Sequence, residues 1–137
     1  MIPPRLVLDA GPFIALFHRS DPDHEGAVRG FHRLAEGGTR LFVPMPVLFE
    51  VFKWLLFEAE PQAARKGLAK MMEGAVVVPF TLEDLEEARL LLAQLPGWEG
   101  TLEDASVTLL ALRLKTPVWT LNYRDLGAFP ALRFWTP

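Results

Sequence analysis

Short apolar runs alternate with helix-length segments along the whole of this chain, and that alternation leaves few folds open. Arg5 to Asp9 (RLVLD), Leu41 to Pro44, Ala75 to Pro79 (AVVVP) and Val118 to Leu121 each read as a short buried strand. Between them stand segments with helical spacing and recognisable ends. FIALF follows Gly11 and Pro12; Asp21 to Glu36 is stopped by Gly37 and Gly38; Pro46 opens a helix to Glu58; Pro61 to Glu73, Leu82 to Leu95 and Thr101 to Lys115 complete the set. Leu132 to Trp135 reads as a last strand at a sheet edge. Strands joined by crossover helices run parallel. The expectation is therefore an α/β fold with a parallel sheet of four to five strands and helices on both faces. With 137 residues, half of them hydrophobic, the chain (1–137) is expected to form one domain around one core.

Composition excludes several functions. A net charge of −3 gives no bulk attraction for nucleic acid, so any such contact must be local. The absence of cysteine removes disulfides, thiol nucleophiles and thiolate zinc sites. His18, His24 and His32 do not have the HExxH spacing of a helical zinc site. The remaining choice for a metal is an oxygen-ligated divalent ion. The apolar stretches are too short or too interrupted, for instance by Glu50 and Lys53, to span a bilayer, and MIPPRLVLD has no secretory signal pattern. A soluble, cytoplasmic protein with no membrane partner is expected.

Four acids stand where such a sheet would gather them. Asp9 ends the first strand, and parallel sheets bind ligands outside the carboxyl ends of their strands. Asp9 also suits a helix N-cap or Asx-turn. Glu50 lies in VLFEVFKWLLF, a helix apolar nearly all round; with Lys53 it makes a thin polar stripe that lines a cleft or an interface, or else faces solvent. Asp104 follows Thr101 in the T-x-x-D form of a capping box. Asp125 follows the TLN that ends the fourth strand, and its alternative is a turn cap. Convergent carboxylates repel one another, by about 4 kcal/mol for a close pair at an intermediate dielectric. A divalent cation relieves that repulsion.

The order and spacing of these segments resemble the PIN domain, and in detail the VapC-type ribonuclease toxins of toxin–antitoxin pairs. VLDAGPFIALF resembles the family's first motif, and HRSDPDHEGA the segment that follows it. PMPVLFEVF resembles the helix with the second acid and LEDASVTLLAL the third. VWTLNYRDLGAFPALRFWTP resembles the closing strand, T-x-N turn and final proline. The resemblance implies that Asp9, Glu50, Asp104 and Asp125 form a catalytic, metal-binding quartet for Mg²⁺ or Mn²⁺, with Thr120, Asn122 and Arg124 in supporting positions. Asp9 and Asp104 are then the principal ligands, Glu50 a ligand or the base for an attacking water, and Asp125 a second-site or outer partner. The chain departs from the family in having Ala10 and Gly11 where Ser or Thr is frequent after the first Asp. Asn122 stands where some relatives are acidic, so the fourth ligand is either Asn122 or Asp125. Glu103, beside Asp104, is expected to point away to the surface.

The activity so implied is endonucleolytic hydrolysis of RNA by metal-activated water, with no side-chain nucleophile. Arg124 is a candidate phosphate contact, while His24 is expected at the surface. The implied partners are RNA, a small antitoxin and a second copy of the chain. Leu48, Phe49, Phe52, Trp54, Leu55, Leu56 and Phe57 give the Pro46–Glu58 helix more apolar surface than one core-facing side needs. That excess points to a dimer face and an antitoxin groove, or else to burial on several sides. The competing classes are a degenerate PIN-like interaction subunit, against which the complete quartet argues, and a phosphoacceptor receiver domain. A receiver would require an acidic pair near the first strand, where LVLDA has a lone acid.

Overall fold

The computed structural model describes every residue, Met1–Pro137. Its strands are β1 (Arg5–Leu8), β2 (Arg40–Pro44), β3 (Val76–Val78) and β4 (Val118–Trp119). Its helices are α1 (Ala10–Phe17), α2 (His24–Glu36), α3 (Met45–Glu58), α4 (Pro61–Gly74), α5 (Leu82–Ala93), α6 (Leu102–Leu114) and α7 (Tyr123–Leu126). The four strands form one parallel sheet in the order β3-β2-β1-β4. From β1 the chain steps outward to β2 and β3, then returns to the other side of β1 for β4. The direction of winding reverses between β1 and β4, which opens a crevice at their carboxyl ends.

The apolar run of the first strand is explained by burial on both faces. Successive side chains of a strand point to opposite sides of the sheet, and Leu6, Val7 and Leu8 are all 0% exposed. Beyond β1, Trp119 of β4 meets Phe31 of α2 at 4.8 Å and Trp135 at 5.2 Å between ring centroids. Gly30 makes this approach possible, since a Cβ there would lie 2.4 Å from the Trp119 ring.

Most element boundaries fall within a few residues of expectation, and two segments differ. Leu132 to Trp135 is not a full strand but a single parallel bridge, Val118 to Phe134, flanked by Val118 N–H to Arg133 C=O and Trp135 N–H to Val118 C=O bonds of 2.9 Å. β4 itself has only two residues, so a fifth strand has almost no ladder to extend. The second difference is α7, one turn of helix where a plain turn was expected.

The α3 helix divides its apolar residues. Val47, Leu48, Val51 and Leu55 enter the core, whereas Phe49 and Phe57 are 70% and 72% exposed. No helix is long and apolar enough to cross a membrane.

Candidate active site

Asp9 occupies the crevice between β1 and β4, 4% exposed, with both carboxylate oxygens engaged. Its backbone N–H donates to Trp119 C=O at 3.1 Å, which extends the β1–β4 pairing by one residue. Oδ1 accepts from the Ala10 N–H at 2.8 Å and so caps α1. Oδ2 accepts from Thr120 Oγ1 at 2.7 Å. The N-cap alternative is therefore correct and compatible with a functional role. Thr120, just past β4 and fully buried, also accepts from the Asn122 N–H at 2.8 Å. One hydroxyl thus ties the end of the first strand to the turn that carries Asn122 and Asp125. Burial raises the Asp9 pKa to about 6, assisted by the charge of Asp104 and opposed by the bonds from Thr120 and Ala10.

Asp104 lies in the first turn of α6 and is 5% exposed. The capping box is complete: Thr101 N–H donates to Asp104 Oδ2 at 2.9 Å, and Asp104 N–H to Thr101 Oγ1 at 3.1 Å. One carboxylate oxygen is thereby held and Oδ1 is left for other work. A second box of the same form, Thr81 with Asp84 at the start of α5, provides an internal comparison. There Arg113 donates to Asp84 Oδ1 at 2.8 Å, and the bond from Thr81, with Arg113, lowers the pKa. Asp84 is neutralised within the protein, whereas Asp104 has no ion-pair partner.

Glu50 projects from α3 into a cleft of about 390 Å³ whose lining includes Phe49, Lys53, Trp54, Phe57 and Glu103. Its Oε1 is a buried oxygen without any hydrogen-bond partner. Burial, then the charges of Asp9, Glu103 and Asp104, push its pKa up to about 8. The solvated-stripe alternative for Glu50 therefore fails. Glu103 also departs from expectation, since it lines the cleft with Glu50 instead of pointing away. Adjacent helical residues differ by about 100° around the axis, so a neighbour of Asp104 can still flank the same opening, and α3 packs against α6 there.

Asp125 is buried but set apart electrostatically. Its Oδ2 accepts from Asn122 Nδ2 at 3.0 Å and from Arg124 Nη2 at 3.2 Å. Those two bonds, Arg124 first, hold its pKa below the ordinary carboxylate value. Asn122 caps α7, its Oδ1 accepting from the Asp125 N–H at 3.4 Å. The two candidates for fourth ligand are therefore bound to each other. Arg124 feels Asp104 and Glu99 as well as Asp125, which puts a cation beside the acidic cleft. Trp98 went unnoticed in the sequence; its Nε1 donates to Asp125 C=O at 2.8 Å and its ring packs edge-on against Phe129 at 5.2 Å. A Trp in the Pro-Gly-Trp-Glu-Gly loop immediately before Asp104 was the available signal.

These side chains do not already form a complete ligand set, since no three acidic or histidine groups converge closely enough to hold an ion. They nevertheless fit a hard divalent cation. Asp9 and Glu50 are both raised in pKa by burial and by neighbouring acids, Glu50 Oε1 is an orphaned buried acceptor, and every available donor is oxygen. The residues that would hold it are Asp9, Glu50 and Asp104, with Asp125 at the margin.

Comparison with known proteins agrees with this architecture. No curated protein matches the chain by sequence. Among solved structures, VapC20 of Mycobacterium tuberculosis, a sarcin-ricin loop cleaving toxin, superposes with a TM-score of 0.85 at 19% identity, over 96% of this chain and 99% of that one. VapBC2 of Rickettsia felis, bound to a promoter DNA fragment, gives 0.72 at 14% identity over 96% and 97%. A toxin–antitoxin complex from Klebsiella pneumoniae gives 0.65 at 16% identity over 93% and 94%. The PIN domain model matches residues 6–129, nearly the whole sheet and every acid of the crevice, and this chain accordingly belongs to the PIN domain family.

Proposed function

We propose that the protein is a metal-dependent endoribonuclease, a toxin of the VapC type that hydrolyses RNA phosphodiesters in the cytoplasm and is silenced by a cognate antitoxin. The observation that carries this reading is the orphaned Glu50 Oε1, a buried acceptor beside an opening that Glu50 shares with Glu103, where the charges of Asp9, Glu103 and Asp104 all reach it. The likeness to VapC20 and to two toxin–antitoxin assemblies supports the same reading.

A bound Mg²⁺ or Mn²⁺ would supply Lewis-acid stabilisation of the phosphodiester's developing charge and a more acidic water. The chain's own residues do the rest. Asp9 is fixed by Ala10 and Thr120, and Asp104 by Thr101, so neither carboxylate loses conformational freedom on binding. Glu50, uncommitted and proton-holding up to about pH 8 without a counter-charge, is the group able to accept a proton from the attacking water once a cation lowers its affinity for one. Arg124 stands ready to meet a phosphate oxygen, with Asp125 holding it in place. On the partner side, the exposed Phe49 and Phe57 flank the same cleft as Glu50. An apolar antitoxin segment seated there would shut the site, and the rest of the exposed α3 face would serve a homodimer.

The test is an endonuclease assay on a long unstructured RNA with Mn²⁺ or Mg²⁺. Internal cleavage that stops in EDTA and is lost in Asp9→Asn is expected. Undiminished cutting in EDTA, or in Asp9→Asn, overturns the proposal.

A further inference from the structure

A concavity of about 580 Å³ lies away from the acidic crevice, between the end of α1, the start of α2 and the length of α4. Its chemistry is opposite to that of the crevice. Arg19, Lys66 and Lys70 line it together with His24 and Phe17, and the one acid among its lining residues is Glu60. In a chain of net charge −3 this is a local excess of cations. None of Arg19, Lys66 and Lys70 takes part in an ion pair. Lys66 and Lys70 are one turn apart on α4, a like-charge arrangement that destabilises a helix unless an anion lies between them. His24 is already oriented. Its Nδ1 donates to Ala15 C=O at 2.7 Å, leaving Nε2 as the ring's uncommitted nitrogen.

The cleft lies at the opposite end of α1 from Asp9. Asp9 caps the first residue of α1 and Phe17 is its last, so the two lie about 12 Å apart along the helix. Gly67 allows α4 to close on this end of α1, since a Cβ there would meet the Phe17 ring at 3.2 Å and Leu55 at 3.0 Å. Trp54, which lines the Glu50 opening, meets His18 edge-on at 5.2 Å, and Arg19 follows His18. Between Glu50 and Lys70 there stand three rings, Trp54, His18 and the Phe17 ring that stacks on Phe13, and three cations, Arg19, Lys66 and Lys70; rings beside cations are the combination that holds single-stranded nucleic acid by base stacking and phosphate contact.

We propose that the Arg19–Lys66–Lys70 cleft binds the phosphodiester backbone of the RNA strand beyond the scissile bond, with Phe17 and His24 against its bases and phosphates. RNA as the occupant rests on the ribonuclease reading, whereas the cleft's preference for a polyanion does not. The cleft thereby determines how much RNA must flank the cut, which the acidic crevice alone cannot do.

The experiment measures binding of a fluorescent single-stranded RNA in EDTA, where no turnover occurs, for wild type and for Lys66→Gln/Lys70→Gln. Both lysines are exposed, and the variant's melting temperature confirms that it folds. The expected result is about ten-fold weaker binding and a log–log salt slope shallower by about 1.4, the value for two lost phosphate contacts on a single strand. Cleavage of a long RNA by the variant should show a raised KM with kcat retained, and hydrolysis of a minimal aryl phosphodiester should be unchanged. Wild type that binds RNA no better than the variant overturns the cleft proposal, even if both cut RNA. Wild type that binds RNA through the lysines but never cuts it leaves the cleft standing and overturns the nuclease. Loss of polyglutamate binding with RNA binding intact assigns the cleft to an acidic protein segment and overturns the proposal as well.

Discussion

Two carboxyls dominate the residue scale because the fold holds them where their charge is unwelcome. With folded pKa values of about 6 for Asp9 and about 8 for Glu50, against 3.8 and 4.5 for the free groups, the native state binds more protons than the unfolded chain throughout that interval. Stability without metal must therefore fall as pH rises from about 4 towards 8. Asp84 and Asp125 do not offset this. Their pKa values are lowered, so the stability they confer is already complete above the ordinary carboxylate range and is lost only in stronger acid. In EDTA the protein should melt at a higher temperature at pH 5 than at pH 8. Glu50→Gln should flatten the upper part of that dependence while reducing cleavage at least about 100-fold, as expected for loss of a general base or ligand. A thermal melt series across pH checks both; an unchanged slope in Glu50→Gln means that Glu50 is not the strained group. Glu50 was the most legible of the acids in the sequence, since in VLFEVFKWLLF it shares only a thin polar stripe with Lys53. Glu103 was less so, because its place depends on how α3 lies against α6, which no local pattern records.

At the scale of elements, two copies of one device have different surroundings. Thr81–Asp84 and Thr101–Asp104 cap α5 and α6 in the same way, and nothing within T-x-x-D distinguishes them. The difference comes from tertiary neighbours: Arg113 approaches Asp84, and Asp9 and Glu50 approach Asp104. Asp84→Ala and Asp104→Ala should each leave the Thr N-cap in place and remove only the reciprocal half of the capping box, the carboxylate that accepts from the Thr N–H, with Asp84→Ala losing its bond to Arg113 as well. Only Asp104→Ala should abolish cleavage. Denaturant melts and the RNA assay, run on both variants, decide the matter; equal activity would reduce Asp104 to a cap. The strands and long helices were legible from apolar periodicity, because burial on both sheet faces writes itself into runs such as RLVL. The single turn of α7 was missed, although Asn122 and Asp125 stand at capping spacing, since four residues are too few to show a period. The expected fifth strand failed for a related reason: β4 is too short to carry a neighbour beyond the one bridge to Phe134.

On the scale of the whole molecule, the strand order determines where chemistry can occur. Residues 9, 50, 104 and 125 are distant in sequence, and the reversal between β1 and β4 brings the first and last of them to one crevice bridged by Thr120. The alternation of strands and helices indicated the parallel sheet, but the order of its strands depends on packing such as Gly30 on Trp119 and had to be seen. The outward-facing part of α3 belongs to this scale too. Phe57→Glu replaces a side chain that is 72% exposed and should not unfold the monomer; sedimentation should show loss of the dimer, or inhibition assays loss of antitoxin control. A variant with both intact returns that face to solvent. On the proposed reading, Asp9, Glu50 and Asp104 together hold a divalent ion. Calorimetric titration of Mn²⁺ at pH 7.5 tests it most directly: wild type should bind with release of protons from Glu50, and Asp9→Asn and Glu50→Gln should lose affinity, Glu50→Gln with little proton release. Absence of Mn²⁺ binding by wild type, or equal binding by all three proteins, would mean that these carboxylates do not form a metal site.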